Sequence, residues 1–431
     1  MGPEVTQHTR MRAQVVLILL IWNSAVAPYI INTLTGTKGE STVAQFTGLS
    51  GPASLYSQLS TLVTIVASLL LVMRAIVRRQ RWGLAALMLF SLPYLYLLVR
   101  SAYEGGIAPI PAVLIAAVYL ALWSVGVSSS AFRTIGILTV VTALLSIATA
   151  VIFPRTGIFV SATGNTVGAD KQIVDAGLLV GIFNNPNTLG QVLALGLPFV
   201  LLISHRWWAR LGAITLVLSA MIWTASRTSI YAAVTVLVMA LVLRLTSSAR
   251  ARSLVIGIVA TTLISLTVLL PLATTSIDAF TYRGQIWLGS LRAVQQSRIF
   301  GLGPDWYWRV SQQSNDLVSL AFHGHNQFVS TFVSGGLLGI LLAVMWIALL
   351  VRHAIMDSSS GWAPSALFVT SLLVLAVLET PVSPLDSGIL LYAAVVPAAL
   401  IWRGRINERS SHQMRRGRGV HSRSSSHESK V

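Results

Sequence analysis

Long apolar runs separated by short polar joints dominate this chain. Runs of roughly 17 to 25 residues, the length at which a helix crosses a hydrocarbon core, lie at about 13–31, 55–73, 82–99, 107–125, 134–153, 187–204, 209–224, 229–243, 253–272, 327–351, 363–379 and 386–402. They predict an all-α polytopic membrane protein with about 12 transmembrane helices. The seventh and eighth runs are short. The stretch "DAGLLVGIFNN" ahead of the sixth either lies at the interface or extends that helix.

Nine spans fill residues 1–272, and a segment at 273–326 is too long to be a simple joint. Three more spans occupy 327–402, and a basic Arg/Ser-rich tail follows at 403–431. A loop that long inside a compact protein is usually functional. Within it "RGQIWLGSLRAVQQSRIFGLGP" sets Trp287, Leu291 and Val294 at helical spacing, with Gly301, Gly303 and Pro304 as a stop. That helix, followed by "DWYW", suits a membrane interface, where Trp and Tyr rings are favoured. No internal repeat of solenoid period is present.

Composition agrees with the membrane class. Of 431 residues 54% are hydrophobic and 10% charged, and the mean hydropathy is +0.74. Cysteine is absent, which excludes disulfides, thiolate metal sites and a thiol nucleophile. The net charge of +17 raises the question of nucleic acid, but Lys and Arg gather at the ends of the apolar runs. With both termini cytoplasmic, 21 of the 30 Lys and Arg fall on the inner side and 9 on the outer, as the positive-inside rule requires. The first run ends in "SAVAP", a signal-peptide-like pattern with a site at Ala25-Val26-Ala27. Pro28 directly after that site favours a retained helix. The tail is expected to rest on anionic headgroups as a disordered segment.

Four polar constellations fall on the outer side in this orientation. In "ASRTS", Arg227 opens the eighth helix, where Ser226 or Thr228 is a potential cap. A cation at a helix N-terminus opposes the macrodipole and asks for an anion, and exposed N–H groups with one guanidinium make a phosphate cradle. A headgroup contact is the competing reading. Arg283 in "TYRGQIW" lies one turn before Trp287 on the same face and also asks for a partner, whereas Arg292, Arg298 and Arg309 read as ordinary headgroup contacts.

In "AFHGHNQFVS", His323 and His325 precede Asn326, an N-cap for the tenth helix. A helix N-terminus keeps an imidazole neutral, as a general base requires. Metal ligation competes, but no third histidine or carboxylate cluster adjoins these two in sequence. In "FNNPNTLGQ", Pro186 sits in the first turn of the sixth helix with Asn185 as cap. Asn184, Asn187 and Gln191 add amides beyond a cap's needs, suited to sugar hydroxyls. The shared outer side favours one site for transfer onto a hydroxyl from a lipid-phosphate donor.

At "NNPNTLGQVLALGLPF" (184–199), "SRTSIYAA" (226–233), "YRGQIWLGSLRAVQQSRIFGLGP" (282–304) and "HGHNQFVSTFVSGGLLG" (323–339), in that order, the chain resembles the superfamily of O-antigen ligases and O-antigen polymerases. The first five helices match only as generic spans. The resemblance implies a metal-independent, GT-C-like membrane glycosyltransferase without a cofactor. Its substrates would be a polyprenyl-pyrophosphate glycan donor, such as undecaprenyl pyrophosphate carries, and a glycan or lipid acceptor, at the outer face of the cytoplasmic membrane. It further implies that Arg227 and Arg283 hold the pyrophosphate and that His325 activates the acceptor hydroxyl, with inversion. Asn184, Asn185, Asn187, Gln191, His323 and Asn326 are the expected substrate contacts. Where that family often carries an acidic residue after "HN", this chain reads "VSGG" with Ser334 and Gly335, so any such carboxylate must be supplied elsewhere. A transporter or lipid flippase is the alternative class, and nucleic acid is not an expected partner.

Overall fold

A computed structural model describes residues 3–35, 49–79, 83–106, 109–159, 172–311, 323–359 and 363–404. The tail from Arg405 onward, and residues 312–322 of the long loop, lie outside the described residues. The helices α1 (Pro3–Leu34), α2 (Gly51–Val77), α3 (Leu84–Tyr103), α4 (Pro109–Val125) and α5 (Ser129–Ile152) come first. A single turn, α6 (Pro154–Gly157), leads into a two-residue antiparallel pair, β1 (Ile158–Phe159) with β2 (Leu178–Leu179). There follow α7 (Pro186–Val200), α8 (Trp207–Thr224), α9 (Arg227–Leu245) and α10 (Ala249–Ala273). The long loop holds α11 (Ala279–Ala293) and α12 (Trp306–Ser311), and then come α13 (Gln327–Ser359), α14 (Pro364–Leu378) and α15 (Leu391–Gly404). The strand pair is the one departure from an all-α reading among the described residues.

A helix accompanies each of the twelve apolar runs, and among the described residues eight of these helices are long and apolar enough to cross a membrane. The short ones are not the seventh and eighth runs, since α8 and α9 both qualify. They are α4, α7, α14 and α15. Burial gives the reason for α7 and α14. Each has 15 residues, about 22 Å of helix, and each is buried along nearly its whole length. A helix walled in by protein need not match the roughly 30 Å hydrocarbon thickness. By contrast α2 and α10 turn large apolar residues outward, among them Leu62, Leu70, Leu254 and Leu269, and so present the lipid-facing surface.

Glycines let the central helices approach closely. A Cβ at Gly136 or Gly196 would run into Phe199 O or Thr139 of the facing helix, which fixes the α5–α7 contact; Gly190 lies equally close to Ser226 and Ser229 of α9. Across from α9, the Ser371 hydroxyl of α14 donates to Ala194 O of α7. Short joints between α7, α8, α9 and α10 alternate their directions. The N-termini of α7 and α9 and the C-terminus of α10 therefore share one end of the bundle. Asn326 ties the start of α13 to that same end by donating to Thr267 O of α10 and Val377 O of α14.

α13 is broken. Gly336 adopts φ 61° and ψ −157°, a conformation essentially reserved for glycine. Loop backbone enters the break: Leu337 and Leu338 donate to Arg298 O and Ile299 O, and Leu302 donates to Val333 O. Gly335 and Gly336 thus serve as a seat for the loop. Arg309 also anchors it, pairing with Glu104 of α3 at 2.8 Å, and so is not a headgroup contact. Trp287 likewise belongs to a small core with Tyr307, Val329 and Val333 rather than to the membrane interface.

Candidate active site

The turn His323-Gly324-His325 is built from below. Trp287, fully buried, donates its indole N–H to Gly324 O at 2.9 Å, and Gly324 N donates to the Ser330 hydroxyl. His325 takes a left-handed φ of 46°, uncommon for a residue with a Cβ. Its backbone N–H donates to His323 Nδ1 at 3.1 Å, which holds the turn. Asn326 is the expected cap: its Oδ1 accepts from Val329 N at 2.9 Å. With its amide nitrogen spent on Thr267 and Val377, and no exposed surface, Asn326 has a structural role and is not positioned to touch a substrate.

Glu379, just past the last turn of α14, is the residue that reading by motif missed. It is 1% exposed. Oε1 accepts from Arg283 at 2.5 Å, and Oε2 lies 3.5 Å from His325 Nδ1, an ion-pair separation too long for a good hydrogen bond. The partner expected for Arg283 is therefore a buried carboxylate. Burial alone would raise the Glu379 carboxyl, but the facing His325 and the Arg283 charge outweigh it and hold the group down at about 2. Burial pushes His323 down to about 3, reinforced by the charges of His325 and Arg283 and opposed by Glu379, even though part of its ring reaches a cavity. His323 is thus neutral at physiological pH, with Nδ1 engaged in the turn.

His323, His325 and Glu379 bring one ligand atom each within 4.8 Å of one another. This corrects the premise that the histidines lack a neighbouring carboxylate. The set would offer a metal three ligands, but Glu379 is already bound to a guanidinium.

Arg227 opens α9 and is exposed, with no hydrogen bond or ion pair to any described residue. Ser226 occupies the cap position without capping, because its hydroxyl pairs with that of Ser229 at 2.8 Å. The first-turn N–H groups of α9 are left for another acceptor. In the neighbouring turn Asn185 does cap α7, accepting from Asn187 N at 2.8 Å, so its side-chain oxygen is committed. Among the described residues Asn184 Oδ1 is buried with no partner, and Gln191, 7% exposed, makes no side-chain hydrogen bond. A bare guanidinium, free amides and a histidine backed by a carboxylate thus share one end of the bundle. They combine anion binding with the means to move a proton.

None of the curated proteins matches the chain. A known family, described as O-antigen ligase (Wzy_C), does match over residues 211–344, which include Arg227, Arg283, His323 and His325 but neither Asn184 nor Glu379; the chain is a polytopic membrane protein similar to that family over this stretch.

Proposed function

We propose that the protein transfers glycan from a polyprenyl-pyrophosphate donor to an acceptor hydroxyl at the outer face of the cytoplasmic membrane, as a ligase or polymerase of surface polysaccharide assembly. The family match implies lipid-linked glycan transfer. The observation that carries the reading is Glu379, buried and shared between Arg283 and His325. A carboxylate behind an imidazole orients the ring and stabilises the positive charge it gains on taking a proton. With Nδ1 turned to Glu379, Nε2 of His325 is the atom that removes the acceptor's proton. The acceptor oxygen then attacks the anomeric carbon as the bond to the pyrophosphate oxygen breaks, which inverts the anomeric configuration. Arg227 and the uncapped N–H groups of α9 receive the leaving pyrophosphate, and the nitrogens of Arg283 not bound to Glu379 assist. Asn184, Asn187 and Gln191 hold sugar hydroxyls, and the two arginines supply the positive charge that offsets the leaving group.

The test is transfer by the purified protein in liposomes with a defined polyprenyl-pyrophosphate glycan, in EDTA and without any gradient. The expected product carries the inverted anomer, as a ladder for a polymerase or as a single addition for a ligase. A retained anomer would contradict direct displacement. Movement of the lipid without transfer would favour a flippase.

A further inference from the structure

A cavity of about 350 Å³ opens beside the histidine turn and runs into the bundle. Its mouth is polar, with His323, Gln327, Ser330, Thr380, Ser383 and Asp386 on the wall; its shaft is apolar, with Leu342, Ala343, Trp346, Leu372 and Leu373. Both Gln327 and Ile347, on the two sides of the break in α13, lie on the wall. The Phe90 and Trp346 rings, 5.6 Å apart, line the far end. Such a space fits an amphiphile, its head at the histidines and its chain in the shaft.

Asp386 decides what kind of head. Its Oδ1 accepts one bond, from Gly388 N at 2.6 Å, and the side chain has no ion pair with any described residue. Burial raises its carboxyl, opposed by the Gly388 N–H. Neither Arg227 nor Arg283 lies on this wall, and His323 is neutral. A carboxylate has about four acceptor positions, so Asp386 keeps most of its capacity for donors that arrive with a ligand. A phosphate offers mainly acceptor oxygens to a wall that carries no Lys or Arg, whereas a sugar brings several hydroxyl donors.

We propose that this cavity binds an amphiphile with an uncharged, hydroxyl-rich head, and that Asp386 reads the head by accepting hydrogen bonds from its hydroxyls. Phosphate recognition is left to the α9 side. Naming this occupant as the acceptor rests on the transfer reading above; the site itself does not.

Native mass spectrometry of the full chain, with dodecyl maltoside and dodecyl phosphate as competing probes, tests the assignment. The parent should retain the maltoside at least tenfold better than the phosphate. Asp386→Ala should lose that preference, Asp386→Asn should fall between, and Ala343→Trp should weaken both probes by filling the shaft. Leu341→Trp, on the lipid-exposed face of the same helix, should change neither. Thermal melts identify any variant that does not fold, and the isosteric Asn variant then carries the comparison. Equal or tighter binding of the phosphate, no retention of either probe, or an unchanged preference in both Asp386 variants would overturn the proposal. A parent that shows the maltoside preference but never transfers glycan would overturn the transfer reading and leave this site standing.

Discussion

Two arginines at the same end of the bundle stand in opposite circumstances. Arg283 is largely buried and bound to a still more deeply buried carboxylate, whereas Arg227 is exposed at a helix N-terminus with no partner among the described residues. In a chain of net charge +17 with 13 acidic residues, one of those carboxylates has been committed to Arg283 and, among the described residues, none to Arg227. The difference separates two tasks. Arg283 sets the position and charge of Glu379, and through it of His325, while Arg227 stands ready for an anion that comes from outside the chain.

Substitutions should divide along that line. The largest effect is expected at the group both regions serve: His325→Ala should lower transfer by on the order of a thousandfold, measured at matched membrane levels. Arg283→Ala leaves a buried carboxylate without its cation and should destabilise the protein by about 3–5 kcal/mol, visible as a lower melting temperature. Replacing both partners, Arg283→Gln with Glu379→Gln, should restore much of that stability and none of the activity. Arg227→Ala should leave the melt unchanged and lower transfer roughly a hundredfold, the cost of one transition-state donor. Arg227→Lys should recover little of it, since a point charge does not replace a planar fork. An Arg227→Ala variant that melts early, or an Arg283→Ala variant that does not, would erase the distinction.

A smaller effect concerns pH. Glu379 is held near 2 against an ordinary 4.5, and His323 near 3 against 6.5, so the unfolded chain binds more protons than the folded one across both intervals. Stability from these groups is therefore complete above about pH 6.5 and is lost as pH falls towards 3 and then 2. Melts from pH 8 to pH 4 should show the decline, and His323→Gln should flatten its upper part. The smallest effect is expected at the other end of the molecule. α15 begins on the cavity side and ends at Gly404, so truncation after Gly404 should change transfer less than twofold.

Much of the site is legible in the sequence because its signals are local. Capping residues such as Asn185 and Asn326, the turn glycines Gly301 and Gly303, and Arg227 at the start of an apolar run are read within a few positions of themselves. What escapes is non-local. Glu379 stands 54 residues beyond His325 and 96 beyond Arg283, and only packing of α14 against α13 brings it to them. A signal did exist, because a lone carboxylate in "LAVLETP" within an apolar stretch marks a functional position by default. Trp287 was misread for a related reason: an aromatic at helical spacing looks the same whether it faces headgroups or a buried turn. The shortness of α7 was hidden because apolar sequence continues past Val200, while the helix itself stops there.

The central claim is that Glu379 makes His325 a base and that Arg227 receives the leaving group. Single-turnover transfer from a defined polyprenyl-pyrophosphate glycan, comparing the parent with Glu379→Gln and Arg227→Ala across pH 5 to 9, tests it most directly. The account predicts that Glu379→Gln slows the chemical step about a hundredfold and alters the pH profile with donor binding intact, whereas Arg227→Ala weakens donor binding as well as slowing the chemical step, and keeps the profile. Parent-like chemistry in Glu379→Gln, or donor binding unaffected in Arg227→Ala, would contradict it.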